Sequence, residues 1–265
     1  MDRKTVVLTG AAGGMGSAVR KLLEEKGYLV WCLDISDGND PRYIRTDITS
    51  EESVGAAARR ISSETGKIDA VVHTAGIYDM NSLVEMPEEE FIRIFNINLF
   101  GMYRVNKAFL PLLNPGSRII MVSSELAPLD PLPFTGIYGI TKSAIEKYAY
   151  SLRMELQLLG HKVSVIRPGA VKTSLLDVSQ RRIENFCDST ELYKNTSRRF
   201  LKLVNRIETS NVKPEKVAVR ILRALQSSRP RYVYNINRSP LLILLNILPQ
   251  HVQNCLIRKI LTNKQ

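Results

Sequence analysis

Short apolar runs alternate with amphipathic stretches along nearly the whole chain. Residues 5–8 (Thr-Val-Val-Leu), 28–33, 43–46, 68–72, 118–122, 163–166 and 231–235 each read as a short buried strand. Between them, helical patterning runs over 17–26, 56–61, 87–109, 138–159 and 214–225, with Gly27 placed to stop the first helix. Strands that alternate with helices predict one α/β domain, a doubly wound Rossmann-type parallel sheet of about seven strands spanning residues 1–265. Two segments depart from the alternation. Residues 174–212 are a polar, largely helical excursion on the ligand-binding edge of the sheet, predicted to be a substrate lid. Its apolar members Leu175, Leu176, Val178, Ile183 and Phe186 either pack beneath the lid or touch substrate. Residues 236–265 form an apolar and basic tail, and no repeat or low-complexity segment occurs.

Composition narrows the class. A 44% apolar content over 265 residues supports a real core and argues against disorder. The net charge of +11 is uneven: residues 181–265 hold 17 Lys/Arg against 5 Asp/Glu, whereas the first 180 hold 20 against 21. This basic third lacks the aromatic interleaving of single-strand binders and any zinc or helix-turn-helix signature, so no nucleic acid partner is expected. An anionic membrane surface and plain solvation stay open as readings. Met1-Asp-Arg-Lys runs straight into an apolar strand, so no secretory signal is expected. The run Pro240–Leu248 is far short of the ~20 residues of a spanning helix. Cys32, Cys187 and Cys255 lie far apart and match no metal spacing, which favours a reduced, cytoplasmic setting; His73, His161 and His251 are equally scattered, and no metal is expected.

Two stretches carry candidate chemistry. After the first strand comes Thr9-Gly10-Ala-Ala-Gly13-Gly14-Met15-Gly16, then a helix, a second strand and its terminal Asp34. Glycines let the backbone approach a pyrophosphate, and the helix N-terminus offers N–H groups and positive dipole. Asp34 would accept from adenosine ribose hydroxyls and repel a 2′-phosphate; no Arg or Lys follows it directly, so NAD is favoured over NADP. The second stretch is Ser123-Ser124, delivered by the 118–122 strand, followed by Tyr138-Gly-Ile-Thr-Lys142. On a helix, Tyr138 and Lys142 leave the same face one turn apart. An ammonium ~4 Å from a phenol in an effective dielectric of ~20 is worth roughly 4 kcal/mol, about three pK units, enough to bring a tyrosine near 7. Asn98, within a helical pattern that asparagine disfavours, is a further candidate, and Asp47 reads as a helix cap.

Together these motifs resemble the short-chain dehydrogenase/reductase family, in the subtype with the TGxxxGxG turn and YxxxK site, over essentially the whole chain. The resemblance implies Tyr138 as general acid/base, Lys142 lowering its pKa and holding the nicotinamide ribose, Ser124 orienting the substrate oxygen, and Asn98 supporting a water linked to the lysine. It also implies cofactor contacts from Gly10, Gly14, Met15, Gly16, Asp34, Asp47, Ile48, Ala75, Gly76, Val171 and Thr173. Two departures stand out. His73-Thr74 replaces the family's Asn-Asn before Ala-Gly, placing local sheet stability in question, and fourteen residues rather than thirteen separate Ser124 from Tyr138. The tail looks like that of the retinol and hydroxysteroid dehydrogenase branch, implying a lipophilic alcohol or ketone substrate, peripheral membrane contact through the basic third, and a homodimer or homotetramer. An acyl-thioester ketone reductase of the same family, and a non-catalytic NAD-sensing scaffold, are the alternatives; scaffolds of this kind typically lose the tyrosine or lysine, and both are present.

Overall fold

β1 (Thr5–Thr9) is buried at every position, as a strand covered on both faces must be. With β2 (Leu29–Asp34), β3 (Tyr43–Arg45), β4 (Ile68–His73), β5 (Leu113–Val122), β6 (Lys162–Pro168) and β7 (Val233–Ile236) it forms a seven-stranded sheet of order β3-β2-β1-β4-β5-β6-β7. Every pairing is parallel. The chain winds outward from β1 to β3 and then crosses back to β4, so the switch point, where open sheets bind ligands, lies between β1 and β4. The molecule is known from a computed structural model that describes residues 3–208 and 210–262, apart from the side chains at 174–180 and 208.

Successive side chains of a strand leave opposite faces, and the two apolar layers follow that rule. Val7, Trp31, Leu33, Val71, Met121 and Val165 pack against α2 (Glu51–Thr65), α4 (Gly101–Phe109) and α5 (Gly136–Leu156). Val6, Leu8, Val30, Val72, Ile120 and Ile166 pack against α1 (Gly14–Glu25) and α8 (Pro214–Gln226). A third cluster unites α6 (Ser174–Ser189), α7 (Lys194–Glu208) and α10 (Gln250–Thr262) around Phe134, Phe186 and Phe200. Among the described residues no helix is long and apolar enough to cross a membrane.

Several boundaries differ from the sequence pattern. The helix expected over 87–109 is α3 (Glu88–Phe95) and α4 joined by one wide turn, Asn96–Phe100, with the Gly101 N–H bonding back to the Asn96 carbonyl. β5 starts at Leu113 rather than Arg118, because the ladder to β4 shifts register between Ile68 and Ala70 and accommodates the polar Asn114–Ser117 stretch. β7 is displaced toward the C-terminus relative to 231–235. The described residues of the tail include the helices α9 (Pro240–Ile247) and α10. The Gln253 amide donates to Leu248 O at 2.9 Å and to Asp130 Oδ2 at 3.1 Å, tying the tail to the loop that follows β5.

Candidate active site

The glycine turn is a cradle in which side chains do not fit. Gly10 has φ of +72°, and a Cβ there would stand 2.5 Å from the Ala75 nitrogen. One on Gly16 would stand 2.0 Å from the Gly10 carbonyl oxygen. The N-terminus of α1 opens directly from this turn with no side-chain cap, leaving its N–H groups and positive dipole for an anion. Thr173, just ahead of α6, closes over it; a Cβ on Gly14 would come 2.8 Å from the Thr173 side chain. Asp34, at the tip of β2, accepts from Ala12 N–H at 2.9 Å and Ser36 N–H at 3.0 Å, which fixes a carboxylate on the rim. Asp47 is not the cap of α2: it accepts from the Thr49 N–H at 2.8 Å and hydroxyl at 2.7 Å, while Ser50 caps the helix through Ser53 N–H. Asp34, Asp47, Ile48, Ala75 and Gly76 line one cleft of about 570 Å³, room enough for an adenosine.

Thr74, Gly76 and Ile77 line this cleft and also a second, adjoining cavity that holds Ser124, Tyr138 and Lys142. β5 presents Ser123 and Ser124 at its C-terminal end, where they separate in role. The Ser123 hydroxyl faces the Lys142 carbonyl at 3.4 Å, whereas Ser124 hydrogen-bonds to the Tyr138 phenol. One turn along α5, the Lys142 ammonium lies 5.4 Å from the Tyr138 ring centroid and donates to the Val122 carbonyl at 3.3 Å. Asn98 sits inside the wide turn and is fully buried; its Oδ1 accepts Ile77 N–H at 2.8 Å, and its Nδ2 donates to Ile77 O at 3.0 Å and Thr141 Oγ1 at 3.2 Å. Wide turns of this kind are frequent at functional sites. Here the amide clasps the strand exit after β4 to α5, so Asn98 positions the site.

Burial pushes the Tyr138 phenol up to about 12, with the Ser124 hydrogen bond pulling the other way. Burial likewise pushes the Lys142 ammonium down to about 8, against the attraction of Glu146. A phenol near 7, expected from Tyr–Lys spacing alone, is therefore not what this polypeptide gives. Both groups leave water together, and desolvation outweighs an ammonium that lies over the ring and is already engaged by Val122 O. The two residues that replace the family's Asn-Asn are also accounted for. Thr74 donates from its hydroxyl to Thr9 O at 2.7 Å and from its N–H to the same oxygen at 3.1 Å, clamping β4 to β1. His73, buried, hydrogen-bonds through Nε2 to Asn106 Oδ1 at 2.8 Å, and burial pushes it down to about 4, so it is neutral.

Most of the remaining cavity wall is apolar, and most of that wall escaped sequence reasoning. Tyr78 packs against the Tyr138 ring at 4.4 Å between centroids, and Met80, Leu132, Phe200, Leu203 and Leu242 complete the lining with Met15 and Val171. Of the two readings left open for the excursion's apolar members, packing holds for Ile183 and Phe186, which lie in its own core; Leu175, Leu176 and Val178 lie outside the described side chains. The helical spacing of Phe200, Leu203 and Ile207 along α7 was the available signal, and it reads equally as ordinary packing. Glu125, buried beside Ser124, also reaches the cavity, and nothing in the sequence pattern marked it.

Known proteins resemble this chain in sequence and in fold. The family described as short chain dehydrogenase matches residues 4–183. A 3-ketodihydrosphingosine reductase of Bacteroides thetaiotaomicron is 28% identical over 237 residues, covering 88% of this chain and 87% of its own. Estradiol 17-beta-dehydrogenase 2 of Mus musculus is 29% identical over 191 residues, covering 66% of this chain and half of its own length. Among solved structures, a 3-ketoacyl-(acyl-carrier-protein) reductase from Brucella melitensis, complexed with NADH, superposes with a TM-score of 0.72 at 21% identity. That likeness covers 89% of this chain and 98% of the other.

Proposed function

This chain belongs to the short-chain dehydrogenase family, and from that premise we propose that it is an NAD-dependent oxidoreductase. It interconverts an alcohol and a ketone or aldehyde on a lipophilic substrate of hydroxysteroid- or retinoid-like apolar bulk. One observation carries the reading: a Ser124–Tyr138 hydrogen-bonded pair beside Lys142 opens into an apolar cavity that adjoins a glycine cradle.

The cradle suits a dinucleotide, since Gly10 and Gly16 exclude side chains and the α1 N-terminus leaves N–H groups free to bond an anion. Asp34 and Asp47 would hold the adenosine end, Lys142 the nicotinamide ribose, and Val171 and Thr173 the nicotinamide. A nicotinamide dinucleotide bound there supplies the hydride acceptor and donor. The polypeptide handles the proton: Ser124 holds the substrate oxygen against Tyr138, whose phenol is neutral at pH 7 and so donates to a carbonyl during reduction. In oxidation the ammonium of Lys142 stabilises the phenolate that accepts the alcohol's proton. Tyr78, Met80, Phe200, Leu203 and Leu242 would exclude water and take up the apolar body of the substrate.

The assembly and setting belong to the same reading. Phe100, Tyr103 and Leu110 on and beside α4, with Tyr150 and Met154 on α5, present exposed apolar surface suited to a homodimer or homotetramer. Leu241, Leu244 and Ile247 on α9, at 54%, 61% and 73% exposure, with Arg238 just ahead of the helix and Arg258 and Lys259 further along the chain, suit peripheral contact with an anionic membrane. The three cysteines are free, as a reducing, cytoplasmic compartment would keep them.

A screen of steroids, bile acids and retinoids with NAD and with NADP, followed at the absorbance of the reduced nicotinamide, tests the proposal. Turnover of at least one lipophilic alcohol is the expected result. Cofactor binding without oxidation of any member would replace the enzyme by a cofactor sensor.

A further inference from the structure

The cavity that holds Ser124 and Tyr138 contains one carboxylate among its described lining residues, that of Glu125. Its place is unusual. Glu125 is only 6% exposed, although it follows Ser124 directly and faces a largely apolar wall. A buried carboxylate costs several kcal/mol unless its oxygens find partners. One oxygen has a partner: Oε2 accepts the Ser239 N–H at 2.6 Å, tying the start of α9 to the site. The other, Oε1, is turned toward Gly169, where a Cβ would stand 2.7 Å from it and 2.1 Å from the Asn237 carbonyl oxygen. Gly169 lines the same cavity, so Oε1 is held at its wall by a backbone that admits no side chain. Burial pushes the Glu125 carboxyl up, while the Ser239 N–H and, at longer range, Arg238 pull the other way. Lys142, the ammonium in the cavity wall, is directed to Val122 O.

We infer that Glu125 is a specificity residue that receives an ammonium group of the substrate, carried a few bonds from the reacting carbon. The substrate class is then an amphiphilic amino ketone or amino alcohol, with an apolar chain against α7 and α9 and a cationic amine against Oε1. The inference rests on the oxidoreductase reading and narrows its lipophilic substrate to one that carries a positive charge next to the carbonyl. The geometry divides the labour between consecutive residues: Ser124 addresses the substrate oxygen, and Glu125 addresses the neighbouring nitrogen. A carboxylate whose second oxygen gains a charged donor in a low-dielectric wall discriminates strongly against the same molecule without that donor.

The test compares three long-chain ketones with reduced nicotinamide cofactor: a 2-ammonium 3-ketone, its 2-hydroxy counterpart and its 2-deamino counterpart. The unaltered protein is expected to prefer the ammonium compound in kcat/KM by roughly 10- to 100-fold over either. Glu125→Gln keeps an oxygen for the Ser239 N–H but loses the charge, and its preference should fall toward one while the melting temperature stays near that of the parent. No preference in the parent, an equal preference for the hydroxy compound, or an equal loss on all three ketones in Glu125→Gln would overturn the inference. If none of the three ketones is reduced while the screen of steroids, bile acids and retinoids shows turnover, the inference falls and the oxidoreductase reading stands. If that screen is silent too, the oxidoreductase reading fails. Calorimetric titration with the saturated 2-amino alcohol and its deamino counterpart then decides the role of Glu125 separately. Tighter binding of the amine, abolished in Glu125→Gln, supports it, and equal binding removes it.

Discussion

Ser124 hydrogen-bonds to the Tyr138 phenol across fourteen intervening steps of chain, one more than the family pattern. The loop between them is held by local turns. Leu129 N–H bonds Leu126 O at 3.1 Å, Thr135 N–H bonds Leu132 O at 3.2 Å, and Phe134 takes a left-handed φ of +65°. Ser143, on α5, donates to Ala127 O at 2.7 Å and pins the loop to the helix that carries Tyr138. These turns and the Ser143 hydrogen bond shape the loop so that its two ends, Ser124 and Tyr138, meet.

That relationship predicts unequal losses at the two positions. Tyr138→Phe removes the proton carrier and should lower kcat by about 10³-fold or more while leaving NAD affinity near normal. Ser124→Ala should cost less, because Tyr138 and Lys142 stay in place. Stopped-flow turnover together with cofactor titration measures both; substantial turnover by Tyr138→Phe would sink the proton-carrier assignment.

Asp34 sets the cofactor prediction. Its carboxylate is fixed by two backbone N–H groups at the cleft rim, and Arg45 stands opposite it in the β2–β3 ladder. Asp34→Ala removes the repulsion of a 2′-phosphate and leaves that arginine to receive one. The NADP-to-NAD ratio of kcat/KM should rise roughly tenfold or more. A parent protein that already works better with NADP would show the reading of Asp34 to be wrong.

His73 gives the fold an acid-sensitive element. Its folded pKa, about 4, lies below the ordinary 6.5, so the unfolded chain binds the proton more readily. Stability is therefore unaffected above 6.5 and falls as the pH drops from 6.5 toward 4, by about 3 kcal/mol in all. Urea denaturation across that window should show a shallower fall for His73→Gln than for the parent. Parallel curves would contradict the assignment.

The α9 surface makes a binding prediction. The protein should float with anionic liposomes at low salt and release at high salt. Leu244→Asp, on a side chain 61% exposed, should abolish flotation without altering turnover of a freely soluble alcohol. Failure of the parent to float at low salt would reduce the basic third to a solvated surface.

The sequence by itself determined the sheet, the glycine cradle and the pairing of Tyr138 with Lys142 on one helix face. Those features are local: buried parallel strands need continuous apolar runs such as Val6–Leu8, tight turns need Gly10 and Gly16, and helical spacing alone aligns Tyr138 with Lys142. Tertiary structure decided whatever depends on contacts between distant segments. It set the pKa values, because burial of Tyr138 and Lys142 arises from the packing around them and outweighs the opposing pulls of Ser124 and Glu146. It converted Thr74 from a weak point into a clamp on Thr9, and it gave Asn98 its two-sided hold on Ile77. It also chose α7 and α9 over α6 to face the cavity and turned Glu125 into it, since which side of an amphipathic segment meets a void is fixed only once its neighbours have packed.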